Sequence, residues 1–303
     1  MNNENPLVSV LVITYNQEEY IRETLAGALS QNYSPLEIII SDDCSTDNNF
    51  SIIQEVVAEY EGPHKILLNR NKTNLGIGHH VSEAFKLTRG ELIVIMGGDD
   101  ISYVDRTSII YNEWINSGRS VTAFFSNVQL IDKYGNEKQL MFPSAPSYTS
   151  DIKSFLHKAT SSTLKTEPLC WLLGCSAVVD RRVWDVFGEI HNDVIQEDAV
   201  LAFRALLLGN IKYIDKPLVK YRRHDTNIFE PTDLKKVLHL LQREYYYKLQ
   251  WYNDGLKISE DIKLIKVLKS IKTKAYIIHN FLQIPFIGMS YLRLKRMIKR
   301  IIR

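Results

Sequence analysis

The first hundred residues alternate between two hydrophobic patterns. VSVLVIT, residues 8–14, is apolar at nearly every position, which predicts a strand buried on both faces. Behind it, Ile21, Leu25, Ala28 and Leu29 fall at helical spacing. The pairing then repeats. LEIIIS (36–41) predicts a second buried strand, and Phe50, Ile53, Val57 and Tyr60 predict a helix with Ser45, Thr46 and Asp47 as candidate caps. KILLN (65–69) predicts a third strand, Val81, Phe85 and Leu87 a third helix, and ELIVIM (91–96) a fourth strand. Such a series belongs to the α/β class: a mostly parallel central sheet flanked by helices.

Beyond residue 105 the pattern loosens. TAFFSNVQLID (122–132) predicts a strand, followed by a hairpin around Gly135-Asn136. Residues 143–168, with their prolines, serines and threonines, predict a loop-rich excursion. GCSAVVD (174–180) predicts a strand, DAVLAFRALLLG (198–209) a helix ending at Gly209, and IKYIDKPLVKYRRH (211–224) two short strands. After Thr232 the periodicity is helical to the end, and no internal repeat appears.

Composition adds little until charge is divided along the chain. With 303 residues, 45% hydrophobic and 24% charged, the sequence has ordinary globular proportions. Its net charge of +2 conceals an acidic body and a basic end. The final stretch, YLRLKRMIKRIIR, mixes lysine and arginine with Leu, Met and Ile and holds no acid, the pattern of a helix lying on an anionic membrane surface. Nucleic acid is the competing partner and is disfavoured, because no nucleic-acid-binding motif accompanies the charge. No clean run of 18 apolar residues predicts a membrane span, and MNNENPLVSV lacks the basic start of a signal peptide. Cys44, Cys170 and Cys175 form no even disulfide framework, consistent with a reducing cytoplasm.

The candidate chemistry lies where strands end. In parallel α/β sheets, ligands bind at the carboxyl ends of the strands. The first strand ends in Thr14, Tyr15 and Asn16, the second in Asp42 and Asp43, the fourth in Gly97, Gly98, Asp99 and Asp100. A tyrosine can stack on a base, and a carboxylate can accept the imide hydrogen of uracil or thymine. A carboxylate beside glycines can hold a divalent cation bridging phosphates. The bland alternative for each acid is a helix cap or a helix-dipole partner. Trp171 and Trp184 could line a sugar pocket but fit a core at least as well.

Taken together, VSVLVITYNQEEYIRETLAGALSQNY, LEIIISDDCSTD, NLGIG, GELIVIMGGDD, QEDAVLAFRALLLGNIKYID and PLVKYRRH resemble the inverting, non-processive family 2 glycosyltransferases of the GT-A fold, over residues 7–225. The resemblance implies a GT-A nucleotide-sugar-binding domain over 1–228, with a nucleotide-binding half (1–118) and an acceptor-binding half (119–228), and a basic helical extension over 229–303. It places Thr14, Tyr15, Asn16, Asp42, Asp43, Gly76, Gly98, Asp100, Arg222 and Arg223 at the nucleotide-sugar. Asp99, with His224, would hold a divalent metal, Mn²⁺ or Mg²⁺. Asp198, of the Glu197-Asp198 pair, would be the general base that deprotonates the acceptor hydroxyl. The implied donor is a UDP-sugar first and a dTDP-sugar second. The implied acceptor is a glycan or lipid-linked glycan of a surface polysaccharide such as lipopolysaccharide or capsule. The place implied is the cytoplasm or the inner face of its membrane. Two departures stand out. Gly97 replaces the first acid of the usual Asp-x-Asp-Asp, and His80-Val81-Ser82 replaces the usual Ala-Arg-Asn, leaving its phosphate contact missing or supplied by His79 or His80.

Rival readings fail at particular residues. A dinucleotide-binding oxidoreductase needs a glycine-rich turn after the first strand, where ITYNQEEY has no glycine. A sugar nucleotidyltransferase needs a glycine-rich phosphate loop near the start. A processive synthase would carry membrane spans. A non-catalytic nucleotide-sugar binder of the same fold is the remaining alternative.

Overall fold

The computed structural model describes residues 5–160, 172–224 and 234–283. Its centre is a nine-stranded mixed sheet in the order β3-β2-β1-β4-β8-β6-β9-β5, with β7 paired to the outside of β6. The strands are β1 (Val8–Thr14), β2 (Leu36–Asp42), β3 (Lys65–Arg70), β4 (Leu92–Gly97), β5 (Ile101–Ser102), β6 (Val121–Asp132), β7 (Glu137–Leu140), β8 (Val178–Asp180) and β9 (Asn210–Arg223). β1 to β4 form a parallel block, β8 runs antiparallel between β4 and β6, and β6 pairs parallel with β9.

The continuous apolar runs are explained by two cores, one on each side of this sheet. Successive side chains of a strand point to opposite faces. Thus Val10 and Val12 of β1 enter one core while Leu11 enters the other. β4 does the same, with Val94 and Met96 on one side and Ile93 and Ile95 on the other. Helices α1 (Ile21–Leu29), α2 (Asn49–Ala58) and α4 (Arg106–Asn116) cover the first side through Leu25, Ile53 and Trp114. Helices α3 (Ile77–Leu87), α5 (Ile152–Thr160), α6 (Arg182–Asp185) and α7 (Glu197–Leu208) cover the second. The hairpin of α8 (Leu234–Ile258) and α9 (Ile262–Leu282) joins that second core through Trp251, Leu264 and Leu268.

The first four strands and three helices fall where periodicity predicts them, and so does the hairpin at Gly135-Asn136. Three expectations differ. The 143–168 segment contains α5, whose Phe155 is fully buried. In 174–180 only Val178–Asp180 is strand; Gly174–Ser176 is a turn of 3-10 helix. The two short strands expected in 211–224 are one long strand, β9, whose register against β6 shifts where Pro217 interrupts the ladder. Trp184 packs on Phe85 as core, with ring centroids 5.1 Å apart. Trp171, Cys170 and the 291–303 stretch lie outside the described residues. Among the described residues no helix is long and apolar enough to cross a membrane.

Candidate functional site

Strand register assembles the site. Thr14 is level with Asp42 across β1 and β2, and Ile13 with Gly97 across β1 and β4, so the three polar strand ends share one edge. The Asp43 N–H donates to the Thr14 carbonyl at 3.0 Å, continuing the pairing past the strand. Beyond it the chain turns back through Asn16, in a left-handed conformation (φ 52°) that asparagine tolerates better than most residues. Its amide oxygen accepts from the Thr46 N–H at 2.8 Å, tying the first strand end to the second. Tyr15 stands beside this turn, 42% exposed, with its ring open to solvent.

The two aspartates after β2 do different work. Asp42 is fully buried and accepts from the Ser45 N–H (2.9 Å) and Asn49 Nδ2 (2.8 Å), with Arg70 3.6 Å away. It thereby fixes the loop between β2 and α2. Asp43 reaches toward the third strand end. Its Oδ1 accepts from Asn71 Nδ2 (2.8 Å) and the Leu75 N–H (2.9 Å), and its Oδ2 from the Gly76 N–H (3.0 Å). Gly76 adopts φ +76°, a backbone that favours glycine, with open space where a Cβ would point. His80 is turned inward, its Nε2 2.8 Å from Ser41 Oγ; burial holds its pKa below the ordinary value. His79 instead lies 3.6 Å from Glu83.

At the end of β4 the glycines have a packing reason. A Cβ on Gly98 would lie 2.4 Å from Thr14 Oγ1 and 2.3 Å from Gln17 Oε1. The room that Gly98 clears is therefore filled by the side chains of Thr14 and Gln17. A Cβ on Gly97 would come within 2.8 Å of Asp99 Oδ1, so the acid that relatives carry at this position would crowd Asp99.

β5 and β9 bring distant residues to these acids. Ile101 pairs with Lys220 in antiparallel register, which carries Arg222 and His224 alongside Asp99 and Asp100. His224 Nε2 lies 2.9 Å from Asp99 Oδ2, and its ring packs on Tyr20 with centroids 4.8 Å apart. Asp100 is buried and accepts from the Arg222 N–H at 3.0 Å; burial and the adjacent Asp99 charge push its pKa well above the usual carboxylate range. Arg222 is itself 1% exposed. It donates to the Asp99 carbonyl at 3.0 Å and to Glu23 Oε2 at 2.5 Å, and lies over the Tyr20 ring. It is a buried brace between β9, the Asp99 backbone and α1. Arg223, next along, is exposed. Beside these residues opens a cleft of about 340 Å³, lined by Asn16, Gln17, Tyr20, Asp47, Lys133 and His224.

Asp99 and His224 are a carboxylate and an imidazole within hydrogen-bond distance, a donor set that suits a divalent cation taking its other oxygens from phosphate and water. Among the described residues no group of three or more His, Cys, Asp or Glu is arranged as a ready-made metal cage.

Asp198 arrives from another direction. α7 is apolar on nearly every face and therefore buried, but its first turn carries Glu197 and Asp198. The 3-10 turn Gly174–Ser176 joins this end to the strand edge, because the next residue, Ala177, accepts from the Ile95 N–H of β4. A methyl group on Gly174 would sit 3.3 Å from Asp198 Oδ2, so glycine lets the turn close on that carboxylate. Burial raises the Asp198 pKa to about 6, tempered by the N–H groups of Ala199 and Gly174. Glu197 rises to about 8, through burial and then through the charge of Asp198. Ala199 donates to Asp198 Oδ1 at 2.7 Å. Cys175, in the turn, has its thiol pKa pushed well up by burial and then by Asp100.

Sequence reasoning missed Tyr20, Glu23, Asn71 and Arg106. Arg106 is fully buried and donates to the Ile95 and Ala177 carbonyls (2.9 and 3.2 Å) and to Ser102 Oγ (2.9 Å), locking β4 to β8 behind the acids.

The family model described as glycosyl transferase family 2 matches residues 9–172, which include the ends of β1, β2 and β4. The chain belongs to this family. An uncharacterized glycosyltransferase of Methanocaldococcus jannaschii is 30% identical over 82% of the chain and 87% of its own length. An uncharacterized protein of Mycobacterium tuberculosis is 28% identical over 76% of the chain, and the match spans 63% of that relative's length. Among solved structures, a mannosyltransferase from Pyrobaculum calidifontis, in complex with GDP-Man and Mn²⁺, superposes with a TM-score of 0.58 at 18% identity, over 91% of this chain and 74% of that one. S. aureus TarS 1–349 in complex with UDP-GlcNAc gives 0.52 at 17% identity, over 91% of both chains. At these identities the likeness concerns the fold, which is the GT-A fold of a family 2 member.

Proposed function

We propose that this family 2 member is an inverting, non-processive glycosyltransferase that moves one sugar from a nucleotide-sugar to a hydroxyl of a glycan or lipid-linked glycan, with Asp198 as general base. The observation that carries the reading is the place of Asp198 against the Gly174–Ser176 turn, which is tied to β4 just before the Asp99 strand end, with burial raising its pKa to about 6. A base poised near neutrality is ionised when it meets the acceptor yet basic enough to take its proton. As the acceptor oxygen attacks the anomeric carbon, its proton passes to Asp198 and the bond to the nucleoside diphosphate breaks, inverting the centre in one displacement. A divalent cation, Mn²⁺ or Mg²⁺, held by Asp99 and His224, would offset charge on the departing diphosphate.

Asp43 supports a UDP- or dTDP-sugar over a GDP-sugar. Both oxygens of this carboxylate are engaged, but Oδ2 accepts only one described bond, from Gly76. One free lone pair suits the single imide N–H of uracil or thymine, whereas the two adjacent donors of guanine need both oxygens. Tyr15 is open to stack on that base. The GT-A neighbours crystallised with UDP-GlcNAc and with GDP-Man and Mn²⁺ support a nucleotide-sugar and a metal without choosing the base. The basic, acid-free end of the sequence supports a lipid-linked acceptor at an anionic membrane surface, as in surface-polysaccharide synthesis.

The first test is calorimetric titration with UDP, dTDP, GDP and CMP, with and without Mn²⁺, on the wild type and Asp99→Ala. Mn²⁺-dependent binding of UDP or dTDP, weakened at least tenfold by Asp99→Ala, is expected. Binding of GDP alone would overturn the base assignment, and no binding of any nucleotide would overturn the donor site.

A further inference from the structure

The route from Asp198 to the C-terminal hairpin is short. Ala199, whose N–H holds the Asp198 carboxylate at 2.7 Å, has its carbonyl held in turn by the Trp251 indole N–H at 2.9 Å. The Trp251 ring stacks on Phe203, with centroids 5.3 Å apart, and meets the edge of Phe155 at 5.8 Å. The first turn of a helix has the fewest internal bonds and frays most readily, so a side chain that grips its carbonyl restrains what that turn carries.

Further grips lead the same way. Arg204 Nε meets Asp254 Oδ2 at 2.7 Å with both side chains fully buried, and Gln250 Nε2 holds the other oxygen of Asp254 at 2.8 Å. The remaining Arg204 donors bond the carbonyls of Gly188 and Glu189, in the segment that leads into α7. From α8, Gln250 Oε1 accepts the His191 N–H (3.1 Å) and Lys257 donates to the Phe187 carbonyl (2.6 Å). The segment before Asp198 and the helix after it are thus both bonded to α8.

We propose that the C-terminal hairpin is part of the catalytic unit, with Trp251 a positioning residue that holds the first turn of α7 and, through Ala199, the Asp198 carboxylate. This rests on Asp198 being the general base. The matched family region ends at residue 172, so nothing in that match assigns α8 a role. Packing alone would ask only for an apolar ring at 251. The indole N–H aimed at the first-turn carbonyl is the feature that goes beyond packing.

The test uses the full chain carrying Trp251→Phe, which keeps an aromatic ring against Phe203 and removes the N–H. The titration of Asp198 is followed by carboxyl ¹³C NMR, the signal being assigned by its loss in Asp198→Asn. Among the described residues, the ionisable groups interacting electrostatically with Asp198 are Glu197 on its own helix and Cys175 in the adjoining turn; on α8, Asp254 is paired with Arg204. Burial is the main cause of the raised Asp198 value. A loosened first turn admits water, so the midpoint is expected to fall from about 6 toward the ordinary carboxylate value of about 4. The acid limb of UDP release from a UDP-sugar should move with it, while UDP affinity changes less than twofold. Gln250→Met, which removes the bonds to His191 and Asp254, is the second variant, with a smaller shift in the same direction. An unmoved Asp198 midpoint in both variants, with thermal unfolding showing a folded chain, overturns the proposal. If Asp198→Asn then still abolishes UDP release, the base survives and only positioning fails. If Asp198→Asn retains turnover, the base reading falls and this proposal falls with it.

Discussion

Asp42 and Asp43 are chemically identical neighbours in the sequence, and their surroundings separate them. Both are buried, but one is bonded to Ser45 and Asn49 ahead of α2, while the other reaches across to Asn71 and the Leu75 and Gly76 N–H groups beyond β3. Glu197 and Asp198 differ in the same way. Burial raises both, and mutual repulsion keeps a proton on Glu197 to about 8 while Asp198 loses its own near 6. Turnover is therefore expected to rise as pH passes upward through about 6, and a flat pH–rate profile between pH 5 and 8 would count against this base. Stability follows the opposite sign. Both folded pKa values lie above the unfolded ones, so the native state retains protons that the unfolded chain has released between about pH 4 and 8. The contribution of this pair to stability is full below about pH 4 and is lost as pH rises through 6 and then 8. Thermal unfolding across that range checks it, other groups held constant by comparison with Glu197→Gln.

At the scale of elements, hydrophobic period was a sound guide wherever a segment buries its own side chains. β1, β2, β4 and α7 are apolar enough that no other placement would hide them. It was a poor guide where pairing partners decide the shape. β9 reads as two pieces because Pro217 breaks the pattern, yet β6 offers a continuous partner and the strand runs through with shifts in register. GCSAVVD reads as one strand, but its first half turns to close on Asp198. The buried Arg204–Asp254 pair was equally invisible, because a charge on an apolar helix reads as a surface residue. Removing one partner of such a pair leaves an uncompensated buried charge, at a cost of about 3–5 kcal/mol. Asp254→Ala is expected to lower the urea midpoint of unfolding accordingly, while Arg204→Met with Asp254→Leu together should recover most of the loss. A loss below about 1 kcal/mol in the single variant would show that the pair behaves as if solvated.

For the whole molecule, the boundary expected at residue 228 divides a catalytic domain from an extension, but the larger core crosses it. Trp251, Leu264 and Leu268 pack with Phe155, Phe203 and Leu201 in one cluster. A chain stopped after residue 228 would expose that face and leave Arg204 buried without Asp254, so it is expected to bind a hydrophobic dye and unfold without a cooperative transition. A sharp transition at the full-length temperature would establish the extension as a separate unit. The sequence alone determined the α/β class, the parallel character of the first four strands, and the strand ends that carry Tyr15, Asp43 and Asp99, because these follow from local periodicity and from the rule that parallel strands present their carboxyl ends together; the spatial order of the strands came from the structure. Only the tertiary structure decided that Arg222 is buried as a brace, that Gly98 makes way for Thr14, that Glu23 and Tyr20 back the Arg222 side chain and that Trp251 grips the helix of Asp198. Each of these depends on residues that only strand register and helix packing bring together, and a linear pattern holds no record of which distant side chain fills a given space.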